Sequence, residues 1–128
     1  MSAQESKKLI AIVDPLNNKR VMAHCFRKKG CEVVAEANLA DMLRQCTRSP
    51  DVVIAREPYD SDKPEIYGWV EQARESYQGA IIIAIGMHEA QADKCKEWGA
   101  NEFHTDSDLL RFRILLTMCV ESIWDKKR

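Results

Sequence analysis

An excess of one charge is the first thing this sequence lacks: 19 Lys and Arg face 20 Asp and Glu over 128 residues, a formal net charge of −1. Proteins that hold nucleic acid or an anionic membrane surface by charge carry a basic surplus, so neither partner is expected. Long apolar runs are missing too. The longest spans 80–87, far short of the roughly 18 residues a membrane helix needs. The opening residues Met1 to Lys8 are polar and charged, with no signal-peptide core. The expected location is cytoplasmic.

Glycine is scarce, five in all, and none falls in the turn Asp14-Pro15-Leu16-Asn17-Asn18 after the first apolar run. That excludes a dinucleotide fingerprint or a P-loop there. No Gly-x-Ser-x-Gly elbow marks an acyl-transfer serine. The five cysteines, Cys25, Cys31, Cys46, Cys95 and Cys119, form no Cys-x-x-Cys pair. Their odd number suits free thiols, used as small buried apolar groups. His24, His88 and His104 have no metal-ligand spacing with them. No metal, no cofactor and no enzymatic activity are expected.

What is present is an ordinary globular composition, 45% hydrophobic and 30% charged, in a length that suits one domain with its own core. No repeat or linker interrupts it, and the core is expected over about 7–124. Strand-like and helix-like segments alternate throughout. Leu9 to Val13 reads as a strand, followed by a helix capped by Asn17 or Asn18 and running to about Lys29 before Gly30. Cys31 to Ala37 is a second strand, and Asn38 caps a short helix. Asp51 to Ala55 is a third strand, and Pro64 suits the first turn of a helix reaching about Tyr77. Ala80 to Ile85 is a fourth strand, apolar enough for burial on both faces. His88 to Trp98 is helical, Asn101 to His104 is a fifth strand, and Ser107 caps a last helix to about Trp124. Such alternation predicts an α/β fold, a five-stranded parallel sheet with helices on both faces.

Three segments resemble the receiver domain of bacterial response regulators, and the order of elements does so from Lys7 to Trp124. Ile12-Val13-Asp14 is similar to the family's first-strand ending. Pro50-Asp51-Val52-Val53-Ile54-Ala55 is similar to the strand before its phosphoacceptor aspartate. Glu97-Trp98-Gly99-Ala100-Asn101-Glu102-Phe103 is similar to its Ala-Gly-Ala-Asp-x-Tyr segment and is the most specific of the three. The resemblance implies a flavodoxin-like strand order 2-1-3-4-5.

The active positions implied by that family are then replaced one by one. Of the two acids that hold magnesium, Asp14 remains and Pro15 takes the second place. Arg56 stands where the phosphoacceptor is expected, Ile85 where a hydroxyl is, and Asp106 where a lysine is; Phe103 keeps the aromatic switch position. A guanidinium stays protonated and is no nucleophile, and a cation there also repels magnesium. Glu57 is adjacent, but strand alternation aims it to the other side. The exchange of an acid for Arg56 and of a lysine for Asp106 suggests an ion cluster with Asp14 that fixes one conformation without phosphate.

The last helix carries a second clue. From Leu109 to Trp124, eleven of sixteen residues are apolar. Leu109, Phe112, Leu116, Cys119, Val120 and Ile123 form one face, while Leu110, Ile114 and Met118 form a stripe nearly opposite. Surplus apolar surface of this kind marks an interface. Trp98, Phe103, Leu110, Arg111, Ile114, Met118 and Trp124 are the expected partner contacts, on the helix-four, strand-five, helix-five face that the resemblance implies. The expected function is a stand-alone pseudo-receiver that binds another signalling protein, or a second copy of itself as a homodimer. Alternatives are an anion or small-molecule sensor around Asp14, Arg56 and Asp106, a thiol redox switch, and phosphotransfer to a displaced acceptor, Glu57 or Asp60.

Overall fold

Short runs rich in Ile, Val and Ala become the strands of one parallel sheet in a computed structural model, which describes residues 8–16 and 18–106. The strands are β1 (Leu9–Val13), β2 (Glu32–Glu36), β3 (Val52–Arg56), β4 (Ile81–Gly86) and β5 (Glu102–Thr105). Their order is β2-β1-β3-β4-β5, the order expected. The predicted helix from Ser107 to Trp124 lies outside the described residues.

Side-chain alternation sorts the strand residues onto two faces. Ile10, Ile12, Val52, Ile54, Ile83 and Ile85 point to one side, where Met22, Ala23 and Phe26 of α1 (Asn18–Lys28) cover them. Ala11, Val13, Val53, Ile82 and Ala84 point to the other. There they meet α2 (Leu39–Gln45), α3 (Ile66–Ser76) and α4 (Ala92–Trp98) through Leu39, Met42, Ile66, Val70, Ala73 and Cys95. Burial on both faces explains why β1, β3 and β4 are apolar almost without interruption.

Several boundaries shift from those predicted. β3 begins at Val52, and the Asp51 carboxylate just before it accepts the Leu9 N–H at 2.8 Å. The strand then runs on through Arg56. α2 ends at Gln45, and Cys46 closes it with an extended backbone. Pro64 precedes α3 instead of lying in its first turn, because the N-cap is Glu65, whose N–H is held by Glu57 at 2.7 Å. His88 to Trp98 is a 3-10 turn (Glu89–Gln91) followed by α4. Gly99 stops that helix with φ +130°, and a Cβ there would also lie 2.8 Å from Arg74. Asn38 caps α2 as expected, accepting the Asp41 N–H at 2.9 Å.

Candidate functional site

Register decides where the site falls. Val13 pairs with Ala55 across β1 and β3, so the next residues, Asp14 and Arg56, sit side by side at the C-terminal edge of the sheet. This is also where the strand order reverses, the usual ligand crevice of such sheets. Alternation puts Asp14 in line with Ile10 and Ile12, and Arg56 in line with Val52 and Ile54. Both side chains therefore rise from the α1 side.

Arg56 is 3% exposed and Asp14 is fully buried. Nη1 of Arg56 donates to both Asp14 oxygens, at 3.1 and 3.0 Å. Nε donates to Oδ1 of Asp106 at 2.8 Å, and Nη2 lies 2.8 Å from the same oxygen. Asp106 follows β5 directly, so one guanidinium ties the ends of three strands together. Asp14 is itself fixed by accepting the Leu16 N–H at 2.9 Å across Pro15. A charge this buried is tolerated only when paired and hydrogen-bonded, and here it is both. The sequence-predicted cluster of Asp14, Arg56 and Asp106 is thus brought together.

Two carboxylates bracket one guanidinium, and their oxygens occupy its Nε, Nη1 and Nη2. An anionic ligand would have to displace Asp106 and meet Asp14 behind it, so the arrangement offers Arg56 poorly to an anion. Ile85 pairs with Arg56 across β3 and β4 and is fully buried; its side chain supplies packing and no hydroxyl. Glu57 points to the other sheet face, where its carboxylate is buried and anchors the start of α3. That leaves it no approach to the cluster. Among the described residues, no group of His, Cys, Asp and Glu is disposed to hold a metal ion.

Phe103 is 9% exposed and belongs to the core beside Gly86. A Cβ on Gly86 would come within 3.0 Å of the ring, so the glycine makes room for an inward aromatic. This corrects the expectation that Phe103 contacts a partner directly. Trp98 is exposed at the end of α4, with the Lys94 ammonium 5.9 Å from its ring and 4.5 Å from that of Tyr67. Leu110, Arg111, Ile114, Met118 and Trp124 lie outside the described residues.

Three of the thiols are poor nucleophiles. Burial, and then the negative charge of Glu57, push the Cys95 thiol up to about 11. Burial likewise raises Cys31 and Cys46. Thiolate is the reactive form, so these three are set against redox switching, while Cys25 is half-buried.

Sequence reasoning missed Gln91. Its side-chain oxygen accepts the N–H groups of Met87 at 3.0 Å and His88 at 3.2 Å, pinning the loop after β4. His88 also reaches Asp60 at 3.1 Å, bridging that loop to the one after β3. Nothing in the local pattern distinguishes such a glutamine from a solvent-facing one.

No protein-family model matches the sequence. No curated protein matches it either. Solved structures do. A two-component response regulator from Clostridium difficile has a TM-score of 0.78 at 13% identity, covering 95% of this chain and 99% of that one. The receiver domain of the TMAO respiratory system response regulator TorR gives 0.72 at 20% identity, over 92% and 98%. A CheY-like receiver domain protein from Methanospirillum hungatei JF-1 gives 0.71 at 16%, over 94% and 99%. At such identities it is the architecture that is shared: this chain has the fold of response-regulator receiver domains.

Proposed function

We propose that the chain is a pseudo-receiver, a signal-transduction module that works by binding another protein and does not depend on phosphorylation. One observation carries this reading: the Arg56 guanidinium is buried between Asp14 and Asp106. Formation of an aspartyl phosphate requires a carboxylate that attacks phosphorus and a cation that neutralises the developing charge. Here the candidate acceptor position holds a cation with no nucleophilic atom. The acids that could bind magnesium are already paired. The internal guanidinium thus takes the place of both ion and phosphate as the element linking the three strand ends. On this reading the Asp14, Pro15, Arg56, Ile85 and Asp106 positions are a vestigial phosphorylation site, and Phe103 is a switch aromatic held inward.

On this reading the partner is another signalling protein, docking on α4, β5 and the segment that follows. Trp98 is the exposed anchor, and Leu110, Arg111, Ile114, Met118 and Trp124 of the sequence that follows are its further contacts. Incubation with magnesium and acetyl phosphate, followed by intact mass, tests the central claim. The expected result is no phosphoryl adduct. An adduct mapped to Glu57 or Asp60 would overturn it and revive phosphotransfer.

A further inference from the structure

Charge is segregated between two helices on opposite sheet faces, although the chain as a whole is nearly neutral. α1 carries Lys19, Arg20, His24, Arg27 and Lys28 and contains no acid. Arg20, His24 and Lys28 recur at i, i+4 and i+8, on the side away from the buried Met22, Ala23 and Phe26. All three are exposed, and none has a carboxylate partner among the described residues. α3, across the sheet, is the counterpart. Glu71 and Glu75 are exposed one turn apart and equally unpaired. The only base of that helix, Arg74, is turned inward and spent on the carbonyls of Gly99, Gln78 and Ala80, at 2.7–3.1 Å, and on the Asn101 side chain. Its charge therefore does not screen the two glutamates from outside.

The two strips cannot meet within one molecule, because the sheet lies between them. We propose that copies of this chain associate head to tail, with the basic strip of α1 on one copy docking against the Glu71–Glu75 strip of α3 on the next. Arg20 and Lys28 lie about 12 Å apart along their helix and the glutamates about 6 Å apart, a mismatch that long, flexible cationic stems can bridge. Opposed charge gives such a contact orientation and encounter rate more than strength. Exposed ion pairs contribute about 0–1 kcal/mol each, so the association is weak and salt-sensitive. A heterologous contact leaves a free α1 at one end and a free α3 at the other. It grows with concentration and does not stop at a closed pair. A second copy is favoured over a foreign polyanion because the same chain supplies the complementary strip, whereas its overall charge of −1 gives polyanions no long-range attraction.

Light scattering over a concentration series tests this at about 10 mM and about 1 M salt, where the Debye lengths are about 30 and 3 Å. The expected result is a low-salt mean mass that climbs with concentration above its high-salt value. The charge-reversed variants Arg20→Glu/Lys28→Glu and Glu71→Lys/Glu75→Lys should each lose that climb alone and regain it when mixed in equal amounts. Circular dichroism checks that both are folded, since all four positions are exposed. The proposal is overturned by a wild type whose mass does not respond to concentration at low salt. It is equally overturned if either variant alone behaves as the wild type, or if the mixture fails to associate. Duplex DNA added at low salt separates the polyanion reading: capture through α1 without self-association also overturns the proposal.

Discussion

Arg56 is the residue on which the rest depends. Removing one partner from a buried ion pair leaves an uncompensated charge, at a cost of about 3–5 kcal/mol. Arg56→Met should therefore lower stability by about that amount in urea titration. Adding Asp14→Leu should recover much of the loss, because an apolar replacement of both partners is often neutral. An unchanged midpoint for Arg56→Met would show that the cluster contributes nothing. Cys95 offers a second test. Its thiol is pushed up to about 11, above the unfolded value, so the protonated thiol favours the folded state. That contribution is full below about pH 9 and is lost as pH rises toward 11. At neutral pH, maleimide should label the half-buried Cys25 well before Cys95, and Cys95 labelling should accelerate steeply above pH 9. The ion cluster was legible in the sequence through the resemblance to receiver domains, which aligns Asp14, Arg56 and Asp106 with three positions at neighbouring strand ends and exposes the exchanged charges. The anchoring of α3 by Glu57 was not, since it joins residues across a loop through a backbone N–H that any sequence supplies.

At the scale of elements, Arg74 does for the N-terminal edge of the sheet what Arg56 does for the C-terminal edge. It leaves α3 to reach Ala80 before β4 and Gly99 after α4. Asn101, which accepts its Nη2, also accepts the Ile82 N–H at 2.8 Å. Arg74→Ala strands several carbonyls at once and should cost about 2–3 kcal/mol, the range for bonds to one charged donor. Hydrogen exchange should then quicken at Ile82 and Ala100 before it does in β1. All five strands were visible in the sequence, β1, β3 and β4 as apolar runs, each within one residue of its observed limits. The errors cluster where a side chain intercepts a backbone group, as Asp51 does at Leu9 and Glu57 at Glu65. Hydrophobic period carries no trace of such interceptions, and this is why the sequence pattern puts Pro64 inside a helix that it precedes.

For the whole molecule, the parallel order β2-β1-β3-β4-β5 makes every strand pairing non-local, and the Arg56 contacts are among the longest-reaching side-chain hydrogen bonds of the described residues. They join residues 42 and 50 positions apart. A guanidinium sheds water only when both carboxylates are in place, and that requires β1, β3 and β5 to have assembled already. The pairs are therefore expected to close after the main barrier to folding, so that their loss acts on the return journey. Arg56→Met should leave the refolding rate nearly unchanged and carry its whole effect in faster unfolding. Stopped-flow measurements in urea distinguish this from a uniform change in both limbs. In kinetic terms the cluster is then a late latch, expected to contribute little to reaching the native state and much to how long the native state lasts.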